Sequence, residues 1–177
     1  MMPDGLLKFE YLICLVVAIE ICLLVVQTSV MYTSPIGKPD VQMLEMAHGL
    51  LDCGRFQIPE KRLVWNLISV CVDQSHIRPV RAGKMPYYIH HHHPTAWVFR
   101  YFDNTNIFTA PMYDNLPPLS RASVIIHECT HLALKTEDYA YYWEKHFHNL
   151  TQAQHEHNAD SFVAELQTHC LRTEEEA

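Results

Sequence analysis

None of the six cysteines (Cys14, Cys22, Cys53, Cys71, Cys129 and Cys170) belongs to a CxxC pair, which argues against a structural zinc site built from cysteine alone. Lys and Arg do not cluster, and 13 of them against 20 Asp and Glu leave a formal net charge of −7. The chain therefore has no basic surface for nucleic acid, and no nucleic-acid partner is expected. There is no internal repeat. With 49% hydrophobic and 19% charged residues, the composition is that of a globular protein, and 177 residues suffice for one domain with one sizeable core. Histidine is the residue in excess, at 13. That count draws attention to metals and also raises the number of accidental motifs.

The first 34 residues form a hydrophobic N-terminal segment. Tyr11 to Val26 is apolar except for Glu20, and the stretch of residues 11–32 reaches the roughly 20 residues that a membrane helix requires. Glu20 would cost about 2.5–3.5 kcal/mol at the centre of such a helix, which neighbouring Leu, Ile and Val offset. The leader carries one Lys against Asp4 and Glu10 and lacks a clear small-x-small cleavage site, so it is an imperfect secretory signal. The readings are a signal or membrane anchor, which makes the protein secreted or membrane-anchored with an extracytoplasmic domain, or a buried helix of the domain itself.

Ser34, Pro35, Gly37 and Pro39 mark a turn-rich joint, and residues 35–177 are read as the functional domain. Val41, Leu44, Ala47 and Leu51 have helical spacing, with Cys53-Gly54 as the stop. A second helix is expected over residues 60–72, burying Leu63, Val64, Leu67, Ile68 and Cys71. Cys53 and Cys71 would then be near enough to bridge in an oxidising compartment, free buried thiols being the alternative. Short β-branched and aromatic runs between Ile77 and Ala110, punctuated by turn residues, predict two or three strands. Ser120 predicts the N-cap of a helix running to about Leu134, and one or two further helices follow. The fold class expected is α+β, mostly helical with a small sheet beside the Ser120 helix.

Within that helix lies His127-Glu128-Cys129-Thr130-His131, an HExxH pattern. At about 100° per residue the two histidines differ by about 40° around the axis, one turn apart, so both imidazoles can reach one Zn²⁺ at about 2.0–2.1 Å. Glu128 sits beside that face, where a carboxylate can take a proton from a water on the metal during attack on a carbonyl. Ala122, Ile125, Cys129 and Leu132 form an apolar stripe opposite, which lets the helix bury its back. The alternative is a buried helix with two hydrogen-bonded histidines, yet a metal best satisfies these polar groups behind Val124-Ile125-Ile126. A third ligand is required. Leu134 and Glu137 stand where HExxHxxGxxH needs glycine and histidine. The remaining candidates are Asp138 and a glutamate on a later helix, Glu144, Glu156 or Glu165.

Thr136-x-Asp138-x-x-Tyr141 resembles the GTxDxxYG signature of the aspzincins, the family of deuterolysin and the fungal peptidyl-Lys metalloendopeptidases. Asn158-Ala159-Asp160-Ser161-Phe162 is similar to the NAD(S/T)(Y/F) stretch of its last helix, and residues 107–119 resemble its lead into the zinc helix. The resemblance covers roughly residues 95–165. It implies a zincin-like metalloendopeptidase domain with Asp138 as third zinc ligand, Tyr141 donating to the oxyanion, a protein or peptide substrate, and, as in some relatives, a Lys preference. Lys135 and Tyr142 replace the two glycines of the signature. Asn158 and Asp160 are expected to support the ligands from behind.

Four consecutive histidines, His90 to His93, read as a solvated loop, since alternate residues of a strand face opposite sides. His146, His148, His155 and His157 have spacings that allow a second metal site, and Asn149-Leu150-Thr151 is a glycosylation acceptor in a secreted chain. Two functional classes follow. One is a zinc metalloendopeptidase with Glu128 as base, or another zinc hydrolase with a glutamate as third ligand. The other is a non-catalytic metal-binding or interaction module on the same fold.

Overall fold

The computed structural model describes residues 15–22, 25, 36–37, 40–81, 94–99 and 105–171. Residues 15–22 are helical and about half exposed, Leu15 at 58% and Ile19 at 50%, so this part of the apolar stretch is not packed as a core helix. Among the described residues no helix is long and apolar enough to cross a membrane. The remainder of residues 11–32 and the histidines 90–93 lie outside the described residues.

Helix α1 (Val41–Gln57) begins where the Asp40 side chain accepts the Met43 amide at 3.1 Å, a cap that contributes about 1 kcal/mol. Met43, Ala47, Leu50 and Leu51 form its buried face. The helix does not stop at Cys53-Gly54. Gly54 instead sits against its neighbours, since a Cβ there would clash with Leu166 Cδ2 and meet the Trp65 ring at 3.4 Å. The missing side chain serves packing, not termination.

Helix α2 (Arg62–Gln74) buries Trp65, Ile68, Ser69, Cys71 and Val72, while Leu63 and Leu67 are 78% and 55% exposed. Its buried face is thus rotated from the one expected, because the larger Trp65 takes the central place and meets Phe162 edge-on at 6.0 Å.

Three short strands follow: β1 (His76–Pro79), β2 (Ala96–Val98) and β3 (Asn106–Thr109). Their order is β1-β3-β2, β1 and β3 being parallel and β2 and β3 antiparallel. This leaves β2 at the edge. Trp97 and Phe108 stack on one face of the sheet beside Val80 and Ala110, while Ala96 and Ile107 join the helical core on the other.

Helix α3 (Pro118–Leu134) starts two residues before Ser120, with Pro117 at the N-cap and Pro118 inside the first turn. Proline lacks an amide hydrogen that would be unsatisfied there in any case. The expected stripe is the buried one: Ala122, Ile125, Cys129 and Leu132 are each at most 5% exposed. A largely irregular segment leads to α4 (Gln152–Glu156), closed by a capping box from Thr151, and to α5 (Ala159–Cys170). The core lies where α1, α2, α3 and α5 meet. Cys53 is bonded to Cys170, tying the end of α1 to the end of α5 across 117 positions, and Cys71 keeps a free buried thiol. The chain is accordingly a mixed α+β protein, mostly helical, with a small three-stranded sheet.

Candidate metal centre

His127 and His131 lie one turn apart on α3, at 8% and 6% exposure, with Nε2 atoms 3.2 Å from each other. Oδ1 of Asp138 lies 3.0 Å from the first Nε2 and 3.2 Å from the second. Four-coordinate bonds of about 2.0–2.1 Å separate neighbouring ligand atoms by roughly 3.3–3.4 Å. The three atoms are therefore spaced as a tetrahedral ion would hold them. They form the one such group of three or more His, Cys, Asp and Glu among the described residues. This group could hold a metal ion.

The return from His131 to Asp138 is made by a turn at Lys135, which adopts the left-handed conformation (φ 58°, ψ 35°) directly after α3. The position of the signature's first glycine is thus one where glycine would be at ease and Lys is not. The turn lays Thr136 against the helix, its hydroxyl 2.8 Å from that of Thr130, which itself donates to the His127 carbonyl.

Both imidazoles are oriented from behind. The Thr136 carbonyl, 2.9 Å from His131 Nδ1, can only accept, so Nδ1 donates and Nε2 is left for the cluster. Asp160 does the same for His127, its Oδ1 lying 3.3 Å from Nδ1. The other Asp160 oxygen accepts the Tyr142 amide at 2.5 Å. Asn158, wholly buried, accepts the amides of Tyr139 and Ala140 and donates to the Ala140 carbonyl and the Ser161 hydroxyl. Backbone bonds from Glu137 to His157 and from Ala159 to Glu137 complete the seam. Asn158, at the N-cap of α5, and Asp160 in its first turn, both singled out by the sequence, thus fix the segment carrying Asp138 and Tyr141.

Charge follows this geometry. Burial disfavours a charged His127, but hydrogen bonds to Asp138 and Asp160 and the nearby Glu128 charge outweigh it and raise its pKa to about 10. Burial also works against an ionised Asp138, and the two histidines win, holding its carboxyl well below the usual range. Glu128, 5% exposed, is pushed up chiefly by burial, against the pull of His127 and His131. Burial and the surrounding carboxylates also raise Tyr141, whose hydroxyl stays protonated and can donate. The Tyr141 ring stacks on His127 at 5.9 Å and on Trp143 at 4.7 Å. Tyr141 is singled out by the sequence, but its partner in this aromatic shelf at the mouth of the site, the 66% exposed Trp143, is not; its signal is the Tyr139-Ala140-Tyr141-Tyr142-Trp143 run itself.

The glutamates considered as third ligands are engaged elsewhere: Glu165 with Lys61 at 2.6 Å, Glu144 with the Tyr141 amide, Glu156 with Gln152. His155 is 3.1 Å from the Ser161 hydroxyl, and His146, His148, His155 and His157 are not brought together around a metal position. The His127–His131–Asp138 group opens into a cleft of about 820 Å³ bounded by β2, α3, α5 and the 137–143 segment, and Glu128 and Tyr141 line it with these three residues. Comparison with family models, curated proteins and solved structures finds no match for the chain.

Proposed function

We propose that this protein is a zinc-dependent metalloendopeptidase, with a zincin-like domain of the aspzincin kind. The observation that carries the reading is the convergence of His127, His131 and Asp138 on one point inside an open cleft, with Glu128 on the same wall. The donor set, two imidazoles and one carboxylate, suits zinc, which these three residues would hold. When bound, zinc would supply a Lewis acid that polarises a carbonyl and makes water acidic near neutral pH.

The chain's own residues account for the rest. Glu128 takes a proton from the attacking water as its oxygen bonds to the carbonyl carbon, and delivers that proton to the amine nitrogen as the C–N bond breaks. The protonated Tyr141 hydroxyl donates to the carbonyl oxygen as negative charge develops. Asp160 and the Thr136 carbonyl hold the imidazoles in the ligating tautomer. Strand β2, at the edge of the sheet and along the cleft, offers backbone groups to an extended peptide.

A non-catalytic metal-binding module would share the ligands but has no use for a buried acid beside them. Casein cleavage by the zinc-loaded full chain and by Glu128→Gln separates the two. We expect wild-type cleavage and a loss of at least about 10²-fold in the variant, as for removal of a general base. Stoichiometric zinc with no cleavage of varied substrates by the wild type would leave the module.

A further inference from the structure

A second cavity, of about 450 Å³, lies apart from the cleft, and no residue lines both. It sits where the start of α1, strand β1, the 3-10 turn Tyr113–Asn115 and the first turns of α3 come together. Arg121 is the α3 residue in its wall. Six positions before His127, it stands about 9 Å back along the axis and about 120° around it, on a different side of the helix.

Donors outnumber acceptors here. Asp40 is engaged through both oxygens, Oδ1 accepting the Met43 amide at 3.1 Å and Oδ2 facing Arg121 Nη1 at 3.0 Å. The Tyr113 hydroxyl and Arg121 Nε, by contrast, are buried with no hydrogen-bond partner among the described residues. Only four buried side-chain polar atoms are orphaned in that way, and two of them belong to this one cavity. Such groups are rare in folded chains because leaving them unpaired is costly. Tyr113 is 3% exposed. Burial and the charges of Asp40 and Asp114 outweigh Arg121 and keep the proton on its hydroxyl, which stays a donor. The opening amides of α1 add to the set. Met43 and Leu44 are taken by the Asp40 side chain and carbonyl, whereas Val41 and Gln42 lie before the first intrahelical bond, at the positive end of the helix.

The missing partner is an acceptor, and its chemistry is constrained. Asp40 and Asp114 against Arg121 leave the lining one charge negative, which repels a dianion such as phosphate. Asp114, exposed and next to Tyr113 in the chain, has no ion-pair partner among the described residues and is free to accept from a nitrogen. Val41, Ile77 and Pro79 supply apolar wall. We propose that this cavity binds an α-amino acid or the C-terminal residue of a peptide. The carboxylate meets the Tyr113 hydroxyl, Arg121 Nε and the open amides of α1, and the nitrogen meets Asp114. A carboxylate held by charge-assisted bonds satisfies the orphaned donors without displacing any hydrogen bond already made. The site lies outside the candidate metal centre and stands whether or not the protein is a peptidase.

Calorimetric titration of the full chain tests this, using L-leucine, N-acetylglycyl-L-leucine, L-leucinamide and 4-methylpentanoate, each with and without a metal chelator. One saturable site per chain is expected for leucine or the acetylated dipeptide, with a Kd below about 1 mM. The tighter of the two identifies the source of the carboxylate. Leucinamide, which lacks the carboxylate, and 4-methylpentanoate, which lacks the nitrogen, should each bind at least about tenfold more weakly. Tyr113→Phe should weaken leucine or dipeptide binding by a similar factor while the melting temperature of the ligand-free chain does not fall, because the hydroxyl it removes has no partner. A tyrosine of purely structural value would show the reverse, a lower melting temperature and unchanged affinity, and that result overturns the site. So does the absence of saturable binding up to about 10 mM, or equal binding of leucinamide. Binding that disappears with the chelator is binding to a metal ion and overturns it as well, leaving the peptidase reading untouched.

Discussion

Asn158 grips Ala140 from both sides: its Oδ1 accepts the Ala140 amide at 3.2 Å while its Nδ2 donates to the Ala140 carbonyl at 2.9 Å. Two residues before Ala140 stands Asp138, and one after it Tyr141. A fully buried side chain at the N-cap of α5 thus sets where a candidate ligand and a candidate donor stand relative to α3. Asn158→Ala would leave buried backbone groups unpaired, a cost of about 1–3 kcal/mol. The expected outcome is a lower unfolding free energy of that size and zinc affinity weakened about 10–100-fold, as for loss of other groups that orient ligands. Chemical denaturation and competition with a chromophoric chelator measure the two effects.

Metal binding should depend on pH with a defined sign. In the metal-free protein His127 is held as a cation by Asp138 and Asp160, with a pKa raised from 6.5 to about 10. A raised value in the folded state means that this contribution to stability is complete below the ordinary value of 6.5 and is lost as pH climbs through about 10. Asp138 is lowered from 3.8, so its contribution is present above that value and is lost as pH falls below it. Zinc requires both Nε2 atoms unprotonated, so binding near neutral pH expels protons and apparent affinity rises with pH. Calorimetric titration in buffers of different ionisation enthalpy should read at least about one proton released per ion near pH 7. Affinity that is flat across neutral pH would contradict this.

Lys135 is the one residue other than glycine with positive φ among the described residues. A left-handed L-residue costs roughly 1–2 kcal/mol, and glycine avoids that cost. Lys135→Gly should therefore raise the unfolding free energy by about 1 kcal/mol and the melting temperature by roughly 2–4 °C. Lys135→Ala, which keeps a Cβ, should give no gain in the same thermal scan.

Much of the site was legible because it is local. HExxH fixes two imidazoles by helical geometry alone, and the apolar stripe opposite it fixes which way they face. Spacing left Asp138 one candidate among several and the aspzincin resemblance singled it out; tertiary structure brings it to 3.0 and 3.2 Å from the histidines. Where the reading of the fold missed, long-range packing decided. Gly54 looks like a helix stop, yet it is where α5 crosses. Leu63 and Leu67 fit a buried face, yet Trp65 claims the core from a neighbouring angle. Cys53 pairs with Cys170, 117 positions away, and no local pattern announces a bond of that span. The aromatic shelf of Tyr141 and Trp143 was open to view as a run of rings, but its stacking on His127 follows only from the turn at Lys135.

The most direct measurement is X-ray diffraction from zinc-soaked crystals at energies on either side of the zinc absorption edge. One anomalous peak is expected about 2.0–2.2 Å from His127 Nε2, His131 Nε2 and an Asp138 oxygen, vanishing in Asp138→Ala. A peak held by other residues, or none at these three, would contradict the account.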